Sequence, residues 1–453
     1  MIADLKPTGA APSFSVKREW TVSRLFEIAR IRSEKNRPDL PLLSVFLNRG
    51  VIVYGEGGGQ VHKPGLDLSL YLVVRCGDFV LNNQQAWRGS VGVSKHEGII
   101  SPAYVVLALR ETISPRFADF LFQSRDMVAQ YVTSSKGVGD IQRDIHTPWL
   151  KNVKVPLPPP TEQAAIVRFL DWANGRLERA IRAKRKVIAL LNEQKQAIIH
   201  RAVTRGLDPS VHLKPSGIPW LGDIPQHWEV RRAKYLYREV DERSPDGSEE
   251  LLSVSHLTGV TPRSQKNITM FKAASYAGHK LCQPGDLVVN TMWAWMGALG
   301  VSTHAGIISP AYAVYRPRRS EGIVGIYMDG LLRCRPYVSN IICRSTGLRA
   351  SRLRLYPEEF FRLPIIQPPP QEQRQIVERI QGETAELDTA INRLEREIEL
   401  LREYRTRLVA DVVTGKLDVR ETAARLPEEA TADLAEDESD LIDTEAAEEE
   451  AVV

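Results

Sequence analysis

The sequence predicts an α+β protein built as an internal repeat: two mixed α/β globules separated by two long helices paired as an antiparallel coiled coil. Three observations carry this. Two stretches that open after a triple proline hold apolar residues at alternating four- and three-residue steps. The second stretch follows the first by 210 residues, position for position. Short motifs ahead of each stretch return 208 to 210 residues later, so the copies have nearly equal loops.

The first long helix is expected over 161–204. Pro158, Pro159 and Pro160 stop the preceding strand. Thr161 is read as the N-cap, with Glu162 at the positive end of the helix dipole. Positions 166, 170, 173, 177, 180, 184, 187, 191, 194 and 198 read Ile, Leu, Ala, Leu, Ala, Lys, Val, Leu, Gln and Ile. A helix of roughly 66 Å cannot bury such a stripe against itself. The partner is in the same chain. After Pro368, Pro369 and Pro370, positions 376, 380, 383, 387, 390, 394, 397, 401, 404 and 408 read Ile, Ile, Glu, Leu, Ala, Leu, Glu, Leu, Tyr and Leu. Glu162-Gln163 returns as Glu372-Gln373, and Leu207-Asp208 as Leu417-Asp418.

Ahead of each helix the chain reads as short strands and turns. Leu5-Lys6-Pro7 returns as Leu213-Lys214-Pro215, Trp20 as Trp228, and Leu42-Leu43-Ser44-Val45 as Leu251-Leu252-Ser253-Val254. Gly77-Asp78 through Tyr104 matches Gly285-Asp286 through Tyr312, with Ala86-Trp87, Gly89, Gly92-Val93, His96 and Gly98-Ile99-Ile100-Ser101-Pro102-Ala103-Tyr104 all returning. Val51 to Tyr54 and Val73-Val74 are rich in β-formers, Gly55 to Gly59 reads as a mobile hairpin, and Arg116 to Val132 as helix. The expected organisation is a globule over 1–157, a helix over 158–208, a second globule over 209–367, a second helix over 368–418 and an acidic, disordered tail over 419–453.

The net charge of +4 hides a split. Residues 421–453 hold thirteen acids against Arg425, a net of −12, so the other 420 residues carry +16. A basic body points to a polyanionic partner. The tail reads as solubilising. Four cysteines without a CxxC pair suggest neither zinc nor a disulfide framework, and a reduced, cytoplasmic protein is expected. No apolar run has membrane length, so no membrane partner is expected.

Sites of known chemistry are missing from the sequence. The glycine run at Gly55 lacks the Gly-Lys-Ser/Thr ending of a phosphate loop. No Asn/Asp-Pro-Pro-Tyr/Phe, Gly-x-Ser-x-Gly or His-Glu-x-x-His motif is present, and His96 and His304 have no acid or cysteine in register. No catalytic residue, metal ligand or cofactor is assigned, and a binding protein is expected.

The duplicated Gly-x-x-Gly-Val-Ser and Gly-Ile-Ile-Ser-Pro-Ala-Tyr elements, with Pro-Pro-Pro-x-Glu-Gln and a long helix ending each copy, resemble the specificity subunit of type I restriction-modification systems. The resemblance covers residues 5–418. It implies a non-catalytic DNA-reading subunit, with each globule a target-recognition domain reading one part of a bipartite, asymmetric double-stranded target. It further implies that the paired helices are spacer and docking surface for two methyltransferase subunits, with restriction or translocase subunits joining through them. S-adenosylmethionine, ATP and Mg would belong to those partners. The alternative is a non-enzymatic coiled-coil adaptor without DNA sequence specificity.

Candidate DNA-contacting residues are polar or basic positions that vary between copies or lie in glycine-punctuated loops. They are Gln85, Arg88, Ser90 and Lys95 in the first copy, with Trp293 and Thr303 in the second. Lys136 and Arg143, and Arg349, Arg352 and Arg354, are expected to contact phosphate. Trp87 and Trp295 hold the same place in both copies and are expected in the core. Repeat symmetry places the end of the second helix near the start of the chain, Asp418 close to Leu5, in a pseudo-dimer with an internal two-fold.

Overall fold

The computed structural model describes residues 19–47, 49–55, 64–65, 67–137, 143–265, 275–319, 322–347 and 353–427. Leu5 and most of the glycine run after Gly55 lie outside them. The chain divides into two units: Met1–Lys184 with Arg396–Val453, and Arg185–Glu395. The dividing line runs through both long helices, Pro160–Arg205 and Pro370–Val413. Each unit therefore holds one globule and half of each helix.

In the first unit a four-stranded antiparallel sheet runs in the order Ala29–Ile31, Tyr104–Leu109, Asp78–Asn82, Val91–Val93. Both faces are covered along its inner strands, so Phe79-Val80-Leu81 and Val105 to Leu109 read as unbroken apolar runs. Phe79 and Leu81 face a large core with Phe117, Phe122 and Tyr131. Val80 faces a smaller one under the hairpin Leu43–Phe46/Gly50–Val53. The second unit repeats this with Tyr237–Val240, Ala313–Pro317, Leu287–Val289 and Leu299–Val301. Leu287 and Val289 face its large core and Val288 the smaller.

The stretch expected as one helix over 116–132 is two, Pro115–Phe122 and Arg125–Thr133. The buried residues explain the break. Phe117, Ala118, Leu121 and Phe122 form one stripe, and Met127, Gln130 and Tyr131 another. The five-residue step from Phe122 to Met127 would turn the second stripe about 140° away on a continuous helix. Breaking the helix at Gln123-Ser124 lets both stripes face the core.

The shared glycines have a steric basis. Gly89 and Gly297 end matching one-turn 3-10 helices, Ala86–Arg88 and Ala294–Met296, in the left-handed region at φ 100° and 87°. A Cβ on Gly92 would sit 2.7 Å from the Cα of Gly50, so only glycine lets the hairpin cross the sheet there.

The long helices start one residue earlier than expected. Pro160 and Pro370 are their first residues, where the missing N–H would lack a helical acceptor anyway, and Thr161 is not the cap. Within the first unit Glu178 pairs with Arg405 at 3.0 Å and Lys184 with Glu397 at 2.6 Å. Partners fall along one helix as they rise along the other, so the halves are antiparallel. Within the second unit Lys195 pairs with Asp388, and Ala202 and Val203 share a core with Ile376, in the same sense.

The seam departs from the expected positions. Ile181, Ile391 and Ile398 are buried in place of Ala180, Ala390 and Glu397, while Val187, Leu190, Leu400 and Tyr404 are exposed. The buried stripe takes one extra four-residue step, at 173-177-181 on the first helix and 376-380-384 on the second. A straight helix drifts about 20° per heptad against a strict 4-3 repeat, and one such step restores the stripe.

The Glu-Gln pair after each triple proline locks helix to globule. Gln163 accepts from the Ser114 N–H and donates to the carbonyls of Thr112 and Pro158. Gln373 makes the same three bonds to Val324, Gly322 and Pro368. Trp20 donates its indole N–H to Glu162 at 3.0 Å, and Trp228 to Glu372 at 3.1 Å. The strand after each tryptophan, Thr21–Arg24 or Glu229–Arg232, pairs with the strand entering the helix, which puts tryptophan and glutamate side by side.

In the first unit the end of the second helix returns to Trp20. A Cβ on Gly415 would lie 3.3 Å from the indole, and Arg420 bonds Glu19 and Asp418. The segment after the helix is part of this globule rather than tail. Val419 and Ala423 are buried in its core, and Arg168 donates to the Leu426 carbonyl.

Candidate nucleic-acid interface

Each sheet carries a hairpin loop between a central strand and the edge strand beside it, Asn82 to Ser90 in the first unit and Asn290 to Ala298 in the second. The backbones match. The Gly89 N–H bonds the Ala86 carbonyl, and that of Gly297 the Ala294 carbonyl. Trp87 donates its indole N–H to the Gln84 carbonyl, and Trp295 to that of Met292, each at 2.9 Å. These two tryptophans were expected in the core. Both are half-buried at the surface, with the indole N–H spent on closing the loop's own turn.

A second segment lies against each loop. In the first unit the Ile145 N–H bonds the Asn83 carbonyl, and Lys136 pairs with Asp144 across a short hairpin. In the second unit the Leu355 N–H bonds the Thr291 carbonyl, and Arg354 pairs with Thr346. These contacts bring together side chains more than fifty residues apart in sequence. Arg88 and Arg143 both lie over the Trp87 ring, at 4.6 and 5.4 Å from its centroid. Gln85 precedes the same turn. Lys136 lies 5.1 Å from the centroid of Trp149, which is exposed and stacks edge-on with His146. The first unit thus presents guanidinium and ammonium groups interleaved with indoles, suited to phosphate and base contact.

The second unit's loop is apolar. Trp293 stacks on Trp295 at 5.9 Å with an 18° interplanar angle, and Met292 beside it is 45% exposed. Arg354 lies 5.6 Å from the ring of exposed Tyr356. At the loop's base Asn290 donates to the Tyr312 hydroxyl at 3.1 Å. Burial raises the Tyr312 phenol above its ordinary range, so it remains protonated there.

The other candidates are placed elsewhere. Lys95 and Thr303 are exposed on the equivalent turns at Ser94 and Ser302, where Thr303 bonds His304. Ser90 is buried and donates to the Val45 carbonyl, so it belongs to the frame. Arg349 and Arg352 lie outside the described residues. Sequence reasoning passed over Trp149, Met292 and Tyr356. The signal available was an aromatic residue beside each basic segment, and polar-to-apolar exchanges at three positions of a turn whose Asn, Ala-Trp and Gly return.

Among the described residues no cluster of His, Cys, Asp or Glu could hold a metal ion, and no helix is long and apolar enough to cross a membrane. Burial pushes the Cys282 thiol up to about 11 and the Cys334 thiol up to about 12, so both are protonated at neutral pH. His96 and His304 bond the hydroxyls of Ser94 and Ser302 through their backbone N–H groups, as turn residues do.

No protein-family model matches the chain. It is 28% identical over 167 residues to the type I restriction enzyme MjaVIII specificity subunit of Methanocaldococcus jannaschii, a stretch covering 36% of this chain and 36% of that subunit. It is 36% identical over 90 residues to a second protein of that organism, provisionally named as the specificity subunit of type I restriction enzyme MjaX, covering 20% of this chain and 19% of that one. The matched stretches thus span about a third and a fifth of these curated relatives. A chain solved in a structural study of complex assembly in the type I R-M system aligns with 89% of this chain and 100% of its own length, at a TM-score of 0.54 and 18% identity. The sequence is therefore similar to curated type I specificity subunits, and it shares the fold of a chain from a type I R-M structure.

Proposed function

We propose that this chain is the DNA-reading specificity subunit of a type I restriction-modification complex. The observation that carries the proposal is the duplicated frame whose surface loops differ in chemistry. One loop is guanidinium-rich around Trp87, and the other is apolar around Trp293. The curated relatives named as specificity subunits support it. Each unit would read one part of a split, asymmetric double-stranded target, while the +16 body neutralises phosphate. Gln85, Arg88, Lys136 and Arg143 would do so in one unit, Trp293 and Arg354 in the other, with Lys95 and Thr303 on the adjoining turns.

Catalysis, S-adenosylmethionine, ATP and Mg would belong to partner subunits. The long helices offer those partners matching apolar positions. Leu190 and Leu400 are repeat equivalents and are 56% and 64% exposed. One methyltransferase subunit docking on each would bring restriction or translocase subunits with it. Such a complex acts on DNA in the cytoplasm.

Exchanging 220–364 for the same region of a relative, then mapping methylated sites in cells carrying the complex, tests this. One half of the recognised motif should change and the other persist. A change in both halves sinks modular reading. Sequence-independent binding by the assembled complex favours the adaptor alternative.

A further inference from the structure

The two loops occupy one backbone frame, and their tips have opposite chemistry. Met292 stands where the first unit has Gln84, Trp293 where it has Gln85, and Met296 where it has Arg88. The turns that carry them agree closely. The residue before each 3-10 turn has φ, ψ of −125°, −2° at Gln85 and −124°, 9° at Trp293. Each turn closes with a left-handed glycine and an indole N–H bonded three residues back. The frame therefore does not require apolar side chains at these tips, because the first unit builds it with amides and a guanidinium.

From this we infer that the second unit's loop recognises the C5-methyl group of a pyrimidine in the DNA major groove. The inference rests on the proposed DNA-reading function and names the feature read. In the major groove the base edges offer hydrogen-bonding atoms and one apolar group, the methyl on C5. Gln84, Gln85, Arg88 and Arg143 suit the hydrogen-bonding atoms. Met292 and Met296 have no side-chain donor, the Trp295 N–H is already used within the loop, and Trp293 carries a single indole N–H and no acceptor where the first loop has an amide. What the second loop presents is an exposed thioether beside a pair of stacked indoles, with Tyr356 47% exposed on the adjoining segment. A flexible thioether conforms to a small apolar group. Arg354 at the rim, 5.6 Å from Tyr356, supplies positive charge for a neighbouring phosphate. Such a methyl is carried by thymine, or by cytosine methylated at C5.

The test uses the full chain with its docked subunits and a duplex library with a randomised core, from which bound sequences are selected. In the half-site that changes when the second unit is altered, each thymine is then replaced by deoxyuridine, which removes only the methyl. Affinity should fall about 4-fold per contacted methyl, the effect of exposing one buried methyl-sized group. The same replacement in the other half-site should leave affinity unchanged. If that half-site lacks thymine, binding should instead require 5-methylcytosine in place of cytosine, which assigns the methyl to that source. The double variant Met292→Gln with Trp293→Gln should abolish the difference between thymine and deoxyuridine. It should leave the melting temperature unchanged, since neither side chain is in the core. Equal affinity with and without every C5-methyl in that half-site overturns the inference while leaving DNA reading intact. Failure to enrich any sequence overturns both.

Discussion

Gln163 and Gln373 concentrate a demand that few single side chains carry. Gln373 is fully buried, and all three of its hydrogen bonds reach backbone groups: Pro368 just ahead of the long helix, and Gly322 and Val324 in the loop before the helix Gly325–Arg333. Replacing it by leucine keeps the volume and strands the Val324 N–H and the Pro368 carbonyl away from water, while the Gly322 carbonyl keeps its bond from Gln367. An unsatisfied buried polar group costs roughly 1–3 kcal/mol. Gln373→Leu should therefore destabilise by about 2 kcal/mol or more, and Gln163→Leu, which strands three such groups, by about 3 kcal/mol or more, read as a loss in denaturant midpoint. A loss below about 1 kcal/mol would mean that the glutamine does not hold helix to globule. The buried aspartates beneath the sheets are satisfied just as completely. Arg32 grips Asp78 at 2.6 and 3.0 Å, and Arg316 grips Asp286 at 2.8 and 2.9 Å. The two arginines are not repeat equivalents. Arg316 stands on the strand beside Asp286, while Arg32 follows the neighbouring edge strand, so the repeat keeps the carboxylate and changes the source of its cation.

At the scale of elements, the long helices show how a 4-3 pattern yields to helix geometry. A strict heptad stripe would bury Ala180, Val187 and Ala390, yet the chain buries Ile181 and Ile391 and exposes Val187. Truncation separates the two registers. Ile181→Ala and Ile391→Ala should each cost about 2–4 kcal/mol, as buried isoleucines do. Val187→Ala, at an exposed position that a strict heptad stripe would bury, should cost under about 0.5 kcal/mol in the isolated chain. Thermal or urea unfolding of the three variants decides the register, and equal losses at Ile181 and Val187 would refute it. The ion pairs across the helices, Glu178 with Arg405 and Lys184 with Glu397, are half-exposed and are worth well under 1 kcal/mol each. They specify antiparallel register more than they add stability.

At the scale of the molecule, charge is segregated along the chain. Residues 428–453 hold twelve acidic side chains and no basic one. A cut at 419 would take Val419 and Ala423 out of the first unit's core, whereas a cut at 428 spares them. Deleting 428–453 should leave the melting temperature unchanged and leave DNA affinity of the assembled complex unchanged or raised. Deleting 419–453 should destabilise the first unit by roughly 2 kcal/mol or more. Affinity of both the intact chain and the shorter deletion should fall steeply with salt as counterions are displaced. A large loss of affinity on removing 428–453 would show that the acidic segment assists binding, against this reading.

The sequence by itself determined the repeat, both long helices to within a residue or so of their starts, and their antiparallel pairing. Periodicity and duplication are properties of the chain read locally or against itself, and they survive any detail of packing. Only the tertiary structure decided which position of each four-residue step is buried, since that depends on accumulated helix twist against a partner. It alone showed why Trp20 and Trp228 accompany Glu162 and Glu372, a contact made across more than 140 residues. It alone brought Arg143 over Trp87, put that indole at the surface rather than in the core, and folded 419–427 into the first globule. Contacts between residues distant in sequence leave no spacing to read, and whether a duplicated residue serves the frame or the surface becomes visible only once its neighbours are in place.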